Sequence, residues 1–359
     1  MVKASRVYIE ISGMCKADCP YCAQQRLRQA GNFGGIMSPD LFEQILDHLL
    51  KIGVLDRTKT CYIPLFNWGE LFLNSEINEI LRILKKKGFY TQISSSFIVS
   101  PDIDREYLPI ISDLTFSLSG FSQDSYGRIH GTSLKETLGN FESFYSELRR
   151  YSPITNVCIS WHRYLFNENE LWDAYRYFKR PRIRFIATVA FFNDILEMMS
   201  FLRGDLSETR KNQAKGDLFL DHIREGIAYS KRKSNVYCCP GWDSLVIDEA
   251  AQLLLCCGVT RYDSDHVLGN ILEMSAREIW NSKSNDHLCN ECISSGLALW
   301  LYNQNPFNSR PWPSGGGLDR PRVWFLHNLR PKSGRMLRKL PHGWRIINAV
   351  KDMRSPWKL

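Results

Sequence analysis

Residues 9–22 read IEISGMCKADCPYC, and three cysteines in this stretch, Cys15, Cys19 and Cys22, have the spacing C-x3-C-x2-C. The alternating, β-branched segment before them predicts a strand over Val7–Ile11, so the cysteines lie on the loop after that strand. Three thiolates on one short loop can bind three irons of a cubic [4Fe-4S] cluster, which leaves the fourth iron without a protein ligand. An open metal position is typical of a reactive site rather than a structural one.

A structural zinc site is the alternative for a short cysteine cluster, although zinc usually takes two cysteine pairs. The chain has 359 residues, of which 11 are cysteine, 44% are hydrophobic and 23% are charged. This composition predicts a globular protein with two domains. We see no amino-terminal signal peptide and no apolar run of about 18 residues. The many cysteines therefore indicate metal or redox chemistry in the cytoplasm.

Short strands alternate with helices from residue 7 to about residue 190. This order is typical of parallel βα units with right-handed crossovers, and six units are too few for a full eight-fold barrel. Ser38, Pro39 and Asp40 predict the start of one helix, and Gly88 predicts the end of the next. The further predicted strands are Cys61–Phe66, Tyr90–Ser94, Leu114–Leu118, Asn156–Trp161 and Arg182–Ala187.

A second motif, Phe66-Asn67-Trp68-Gly69-Glu70, stands at the carboxyl end of the second predicted strand. Ligands of parallel α/β folds bind at this end of the strands. A glycine there allows the backbone to approach a ligand closely, and a glutamate can accept a hydrogen bond from an ammonium group.

The cysteine triad and the Gly-Glu pair together resemble the radical S-adenosylmethionine (radical SAM) enzymes. In that family the open iron binds the amino and carboxylate groups of SAM. Reduction of the cluster cleaves SAM to methionine and a 5′-deoxyadenosyl radical, which abstracts hydrogen from the substrate. The resemblance implies a partial (βα)6 barrel, with the triad holding this cluster and with Gly69 and Glu70 binding the methionine amino group. The first glycine of the family's GGE motif is Trp68 here, a departure also found in the branch with an added cysteine-rich domain.

The resemblance also implies that the ends of the third and fourth strands face the ribose and carboxylate of SAM. Many relatives carry an aspartate near position 119, where this chain has serine, and serines at strand ends can simply bind loop backbone. His130, His162 and Arg163 are weaker candidates for contacts with SAM or substrate. The residues predicted to contact the cofactor, besides Gly69 and Glu70, are Tyr21, Ser95, Ser117, Ser119 and Arg128.

The third feature is a set of cysteines between residues 238 and 292, namely Cys238, Cys256 and the pair Cys289-x2-Cys292. This region resembles the SPASM domain, or the shorter twitch domain, of radical SAM enzymes. Such a domain has a β-hairpin flanked by cysteines, then a short helix and a cysteine pair, and it holds auxiliary [4Fe-4S] clusters. The resemblance implies one auxiliary cluster bound by these four cysteines, and structural zinc is the alternative.

Two of these positions are doubled, as Cys238-Cys239 and Cys256-Cys257. Neighbouring side chains on a strand point in opposite directions, so one of each pair should be a ligand. The match to the family favours Cys238 and Cys256. The family's hairpin glycine is Ala251 here, so we expect an altered turn.

These features divide the chain into a radical SAM barrel (residues 1–190), a helical connector (191–232), a SPASM or twitch domain (233–300) and a basic tail (301–359). The tail carries 12 Lys or Arg and two Asp or Glu, a balance of +10, whereas the first 300 residues sum to −2. Tryptophans among these cations suit a membrane surface or a phosphate-linked substrate, with nucleic acid less favoured. The alternative is an arm that packs on the two domains.

We therefore expect a cytoplasmic radical SAM oxidoreductase or isomerase. Contact of the basic tail with a membrane surface is one alternative for that segment. The expected cofactors are SAM, one SAM-binding [4Fe-4S] cluster and one auxiliary [4Fe-4S] cluster, and the expected electron donor is a flavodoxin- or ferredoxin-type protein. The first strand begins near residue 7, which leaves little room for a peptide-leader module, so a sugar-like or other small metabolite is the favoured substrate. Maturation of a ribosomally made peptide is one alternative, and a non-catalytic iron–sulfur electron carrier is another.

Overall fold

Strands and helices alternate from residue 6 to residue 189, as the sequence predicts. The computed structural model describes residues 4–58, 62–233, 242–284 and 286–304. The chain divides into two units after residue 310. The second unit, which contains most of the basic tail, lies outside the described residues. In the described residues, no helix is long and apolar enough to cross a membrane.

Five strands form one parallel sheet in the order β2-β3-β4-β5-β6. This sheet and its crossover helices confirm the predicted α/β architecture. The strands of the chain are β1 Arg6–Ile9, β2 Tyr62–Pro64, β3 Tyr90–Ser95, β4 Ile111–Leu118, β5 Asn156–Arg163, β6 Ile183–Val189, β7 Ser244–Ile247, β8 Gln252–Leu254 and β9 Val267–Asn270.

Helix ends follow the local signals of the sequence. The Ser38 side chain accepts the Leu41 N–H at the start of α2, and Gly88 ends α3 in a left-handed conformation with φ of 77°. The helices are α1 Ala23–Gln29, α2 Pro39–Lys51, α3 Ile77–Lys87, α4 Gln123–His130, α5 Leu134–Tyr151, α6 Leu171–Phe178, α7 Ile195–Arg203, α8 Glu208–Asp217, α9 Leu220–Lys233, α10 Ala276–Ser284, α11 His287–Ser295 and α12 Leu297–Gln304.

The first strand has a partner that the sequence did not predict, because β1 belongs to a second sheet with the order β1-β7-β8-β9. It pairs in parallel with β7, so that Arg6 lies opposite Ser244 and Ile9 lies opposite Ile247. It also lies beside β2, but β2 has only three residues and ends at Pro64, which has no N–H to donate. The amino-terminal strand therefore joins the two cysteine-bearing regions of the chain.

The two faces of the five-stranded sheet differ in chemistry. On one face Phe116 of β4 contacts Phe141 of α5 and Phe178 of α6, with ring centroids 4.7 and 5.9 Å apart. Side chains alternate along a strand, so Ser117 and its cross-strand partner Ser160 lie on the opposite face. This second face is turned away from those helices, and we call it the inner face.

Candidate active site

The loop between β1 and α1 carries the three predicted cluster cysteines. All three are half-buried, and Cys22 directly precedes α1. Burial raises the pKa of Cys15 to about 11 and that of Cys22 to about 12. Burial also raises the pKa of Cys19, as do the charges of Cys22 and Cys15. A bound cation is needed to make all three thiolates at neutral pH.

The local geometry fits an iron–sulfur cluster. The Ala17 N–H donates to the Cys15 Sγ at 3.4 Å, and the Cys19 Sγ lies 3.4 Å from the Nδ1 of buried His130. The Arg28 guanidinium donates to the carbonyl oxygens of Cys15 and Ala17 at 2.6 and 2.5 Å. In the described residues, no group of three or more His, Cys, Asp or Glu side chains converges on one metal ion. The thiolates of a cubic cluster bind different irons and need no common point.

The Gly69–Glu70 loop packs directly on this cysteine loop. The Glu70 N–H donates to the Met14 carbonyl oxygen at 2.7 Å. A Cβ added at Gly69 would lie 1.8 Å from the Ser12 carbonyl oxygen, so only glycine fits. The predicted role of this glycine is to let the backbone approach a ligand closely. In the structure it also lets the backbone approach the cysteine loop closely.

The Glu70 carboxylate is buried and already has three hydrogen-bond donors. Its oxygens accept from the Ser95 hydroxyl at 2.7 Å and from the Ser96 hydroxyl and N–H at 2.8 and 3.0 Å. Burial raises the pKa of Glu70, and these hydrogen bonds oppose that effect. Ser95, which was predicted to contact the cofactor, therefore holds Glu70 in place.

Tyr21 and Arg128 share one partner on the connector helix α8. The Tyr21 hydroxyl donates to the Asp217 Oδ2 at 2.8 Å, and the Arg128 guanidinium donates to the Asp217 Oδ1 at 2.5 Å. Arg128 also lies over the Phe166 ring at 4.0 Å from its centroid. These contacts tie the cysteine loop and α4 to the connector, and the predicted cofactor contact of each residue stays a prediction.

The other predicted serines meet a histidine on the inner face. The Ser119 hydroxyl lies 3.0 Å from the His162 Nδ1, and the Ser160 hydroxyl lies 3.5 Å from its Nε2. Ser117 is half-buried opposite Ser160, and Thr188 of β6 lies opposite His162. Burial lowers the pKa of His162 to about 4, so the imidazole is neutral at pH 7. Ser160 was missed from the sequence, although the alternation of β5 places it on the same face as His162.

Three of the four predicted auxiliary-cluster ligands lie in the described residues, and all three belong to or pack against one hydrophobic cluster. Cys256 follows β8, and Cys289 and Cys292 lie one turn apart on α11. Burial raises the pKa of Cys256 well above its usual range, and the nearby Cys292 adds to this effect. Cys257 is exposed, which agrees with the choice of Cys256 as the ligand. Cys238 and Cys239 lie outside the described residues, so the choice between them stays a prediction.

The hairpin turn keeps the backbone conformation that the family's glycine would favour. Ala251 has φ of +61°, in the left-handed region, and it is buried. The Asp248 Oδ1 accepts the N–H groups of Ala250 and Gln252 at 2.9 and 2.8 Å, which holds the turn. The expected alteration is therefore strain at one residue, while the turn itself is preserved.

Contacts between the two cysteine regions were not foreseen from the sequence. Glu10 directly follows β1. Its carboxylate accepts the Gly69 N–H at 2.6 Å, and it also accepts the Trp68 N–H. The Trp68 indole N–H donates to the Val259 carbonyl oxygen at 2.9 Å, three residues beyond Cys256. The hairpin residue Glu249 accepts the Gly35 N–H at 2.7 Å. These partners are far apart in sequence, so no local pattern predicts them.

Comparison with known proteins identifies the carboxy-terminal cysteine region and the fold of the chain. The family model of the SPASM iron–sulfur cluster-binding domain matches residues 238–293. Among solved structures, Streptococcus suis SuiB bound to precursor peptide SuiA is 13% identical, with a TM-score of 0.50 over 83% of this chain and 71% of that chain. The histidine-tagged anSMEcpe with bound AdoMet is 15% identical, with a TM-score of 0.47 over 78% and 81% of the two chains. BtrN in complex with AdoMet and 2-DOIA is 12% identical, with a TM-score of 0.42 over 88% and 95%.

No curated protein matches the sequence. The likeness to SuiB shows the fold, and the family-model match confirms the predicted iron–sulfur domain. The exact domain limits and the individual ligands stay predictions. The carboxy-terminal half of the chain therefore contains a SPASM iron–sulfur cluster-binding domain, and the fold of the chain is similar to that of SuiB.

Proposed function

We propose that this chain is a radical SAM enzyme that acts on a sugar-like or other small metabolite, including a lipid- or phosphate-linked one. The observation that carries the proposal is the packing of the three-cysteine loop on the Gly69–Glu70 loop at the carboxyl end of a parallel sheet. A carrier that only stores electrons needs no such second loop beside its cysteines.

The residues of this chain would have distinct tasks. The cluster that binds SAM would be held by Cys15, Cys19 and Cys22. This cluster would supply an electron, and SAM would supply the hydrogen-abstracting radical. The Glu70 carboxylate, fixed by Ser95 and Ser96, would bind the methionine ammonium group by a charge-assisted hydrogen bond. The surrounding barrel would exclude water from the reacting atoms.

The inner face supports a substrate that carries hydroxyl groups. It presents the hydroxyls of Ser117, Ser160 and Thr188 beside the neutral imidazole of His162, and these groups both donate and accept hydrogen bonds. Oxidation of an alcohol removes one hydrogen atom, one proton and one electron from the substrate. His162 is a base on this face that can take the proton, and the auxiliary cluster would supply the electron acceptor.

The enzymatic proposal is tested by incubating the anaerobically reconstituted protein with SAM and dithionite, or with a reduced flavodoxin. We expect 5′-deoxyadenosine to form, and we expect about eight irons per chain because two cubic clusters are present. The Cys19→Ala variant should lose the product and about four irons, whereas Cys289→Ala should lose iron but keep SAM cleavage. An intact first cluster that yields no nucleoside product with any reductant would make the chain an electron carrier. Stoichiometric zinc would remove the auxiliary cluster.

The substrate class is tested by adding sugars, aminocyclitols and their nucleotide- or lipid-linked forms, with peptides as the contrasting set. We expect a compound with hydroxyl groups to stimulate 5′-deoxyadenosine formation and to transfer deuterium from its C–D bond into that product. His162→Ala should lower turnover more than it lowers SAM cleavage without substrate. Stimulation by a peptide alone would overturn the small-metabolite proposal in favour of peptide maturation.

A further inference from the structure

A lysine is buried inside the iron–sulfur domain. Lys283, near the end of α10, is only 3% exposed. Its ammonium group donates to the carbonyl oxygens of Ser244 and Leu255 at 3.0 and 2.8 Å. Lysine is almost never this buried, because an ammonium ion away from water is costly unless it has hydrogen bonds and a nearby negative charge.

The two carbonyl groups place this charge at the open end of the hairpin. Ser244 is the first residue of β7, and Leu255 directly precedes Cys256. The Lys283 Nζ is hydrogen-bonded to the carbonyl group of the peptide bond that joins Leu255 to Cys256. The ammonium group therefore lies beside a predicted ligand of the auxiliary cluster.

We propose that Lys283 is a positioning residue that raises the reduction potential of the auxiliary cluster. The inference rests on the proposed function only in requiring that this cluster is present. A cubic cluster with four thiolates is anionic, and its reduction adds one more negative charge. A fixed positive charge in a region of low dielectric stabilises the reduced form more than the oxidised form. The effect would help the cluster to accept an electron from a substrate radical.

A purely structural role is the rival explanation, because the same hydrogen bonds tie α10 to both ends of the hairpin. Two variants separate the roles. Lys283→Gln removes the charge but keeps an N–H donor for the carbonyl groups, whereas Lys283→Arg keeps the charge. The readout is the midpoint potential of the auxiliary cluster, from EPR-monitored redox titration of the full-length reconstituted protein. The SAM-binding cluster of the same chain is the internal reference.

We expect Lys283→Gln to disfavour reduction of the auxiliary cluster about tenfold, a fall of about 59 mV for one electron, with the other cluster unchanged. Lys283→Arg should stay near the wild-type potential. Equal potentials in all three proteins, or loss of the auxiliary cluster in both variants, would make Lys283 a structural clamp and overturn the proposal. The titration needs no SAM cleavage, so a failure here is distinct from a failure of the proposed activity.

Discussion

The two cysteine regions of this chain are built in different ways. In the amino-terminal region all three cysteines lie on one loop, which is held by the main chain of Gly69 and Glu70 and by the Arg28 guanidinium on its carbonyl oxygens. In the carboxy-terminal region the described cysteines come from a hairpin end and from α11, and the buried Lys283 of α10 is hydrogen-bonded to the open end of the hairpin. The first region depends on backbone fit, and the second depends on side chains from separate elements.

The difference teaches that substitutions should act differently in the two regions. A small added atom disturbs a site made of closely packed backbone, because the main chain cannot rotate away as a side chain can. A site assembled from side chains depends more on charge and on single hydrogen bonds. The contacts through Glu10 and Trp68 link the two regions. A substitution in one region can therefore be tested for its effect on the other region.

The largest expected effect concerns pH and Glu10, which lies where the two regions meet. Burial, and next the charge of Glu249, raise the pKa of Glu10 from 4.5 to about 8. The folded chain therefore keeps a proton that the unfolded chain has lost above pH 5, so its stability falls as pH rises towards 8. Relative to Glu10→Gln, the wild type should lose about 4 kcal/mol of unfolding free energy between pH 5 and pH 8.

Urea unfolding of both proteins at several pH values measures this loss. Glu43→Gln is the matched control, because half-buried Glu43 has its pKa lowered by Lys87 and should be ionised throughout this range. Parallel stability curves for wild type and Glu10→Gln would show that Glu10 is already ionised in the folded chain.

The next effect tests the backbone fit of the amino-terminal region. Gly69→Ala would place a Cβ 1.8 Å from the Ser12 carbonyl oxygen, so the loops must separate at a cost of about 3 kcal/mol. Iron loading of the first cluster should fall while that of the auxiliary cluster persists. Gly139→Ala in α5 is the control, because its Cβ meets no atom within 4 Å and should stabilise the helix by about 0.5 kcal/mol. Unchanged stability and iron content in Gly69→Ala would refute the packing argument.

A smaller effect tests the link between the two regions. Trp68→Phe removes the indole donor of the buried Val259 carbonyl oxygen and should destabilise the chain by about 1–2 kcal/mol. We expect increased hydrogen exchange both at the Gly69–Glu70 loop and around Val259. An increase confined to the mutated loop would mean that the indole does not connect the regions.

The smallest effect concerns the hairpin of the carboxy-terminal region. Ala251 adopts φ of +61°, which L residues other than glycine rarely do, so Ala251→Gly should stabilise the chain by about 0.5 kcal/mol. Ala250→Gly in the same turn is the control and should give no such gain. Thermal unfolding of the two variants decides the matter, and a loss of stability in Ala251→Gly would show that the buried methyl group matters more than the strain.

Local patterns predicted much of this molecule. The triad, the strand alternation and the helix ends at Ser38 and Gly88 depend on neighbours within a few residues, and the structure has all of them. The parallel order of β2 to β6 followed from alternating strands and helices. The pairing of β1 with β7 was not predicted, because it depends on residues more than 200 positions away.

The fine detail of the site could not be predicted in this way. Serine at a strand end can bind a ligand, a loop or a carboxylate, and only the fold shows that Ser95 binds Glu70. Arg128 was equally ambiguous, since its partner Asp217 lies on a helix whose position the sequence leaves open. The cysteine triad escapes this ambiguity because its members share one loop.

The pairing of β1 with β7 has a consequence for biosynthesis. Arg6 leaves the ribosome first, but its hydrogen-bonded partner Ser244 follows 238 residues later. At about 5–20 residues per second, the strand before the cysteine loop waits roughly 12–48 s for that partner. Such a distant contact also slows folding, since a long loop must close before the strands meet. The thiols of the first loop thus emerge early into the cell and gain their full anchorage only after residue 244 has been added to the chain.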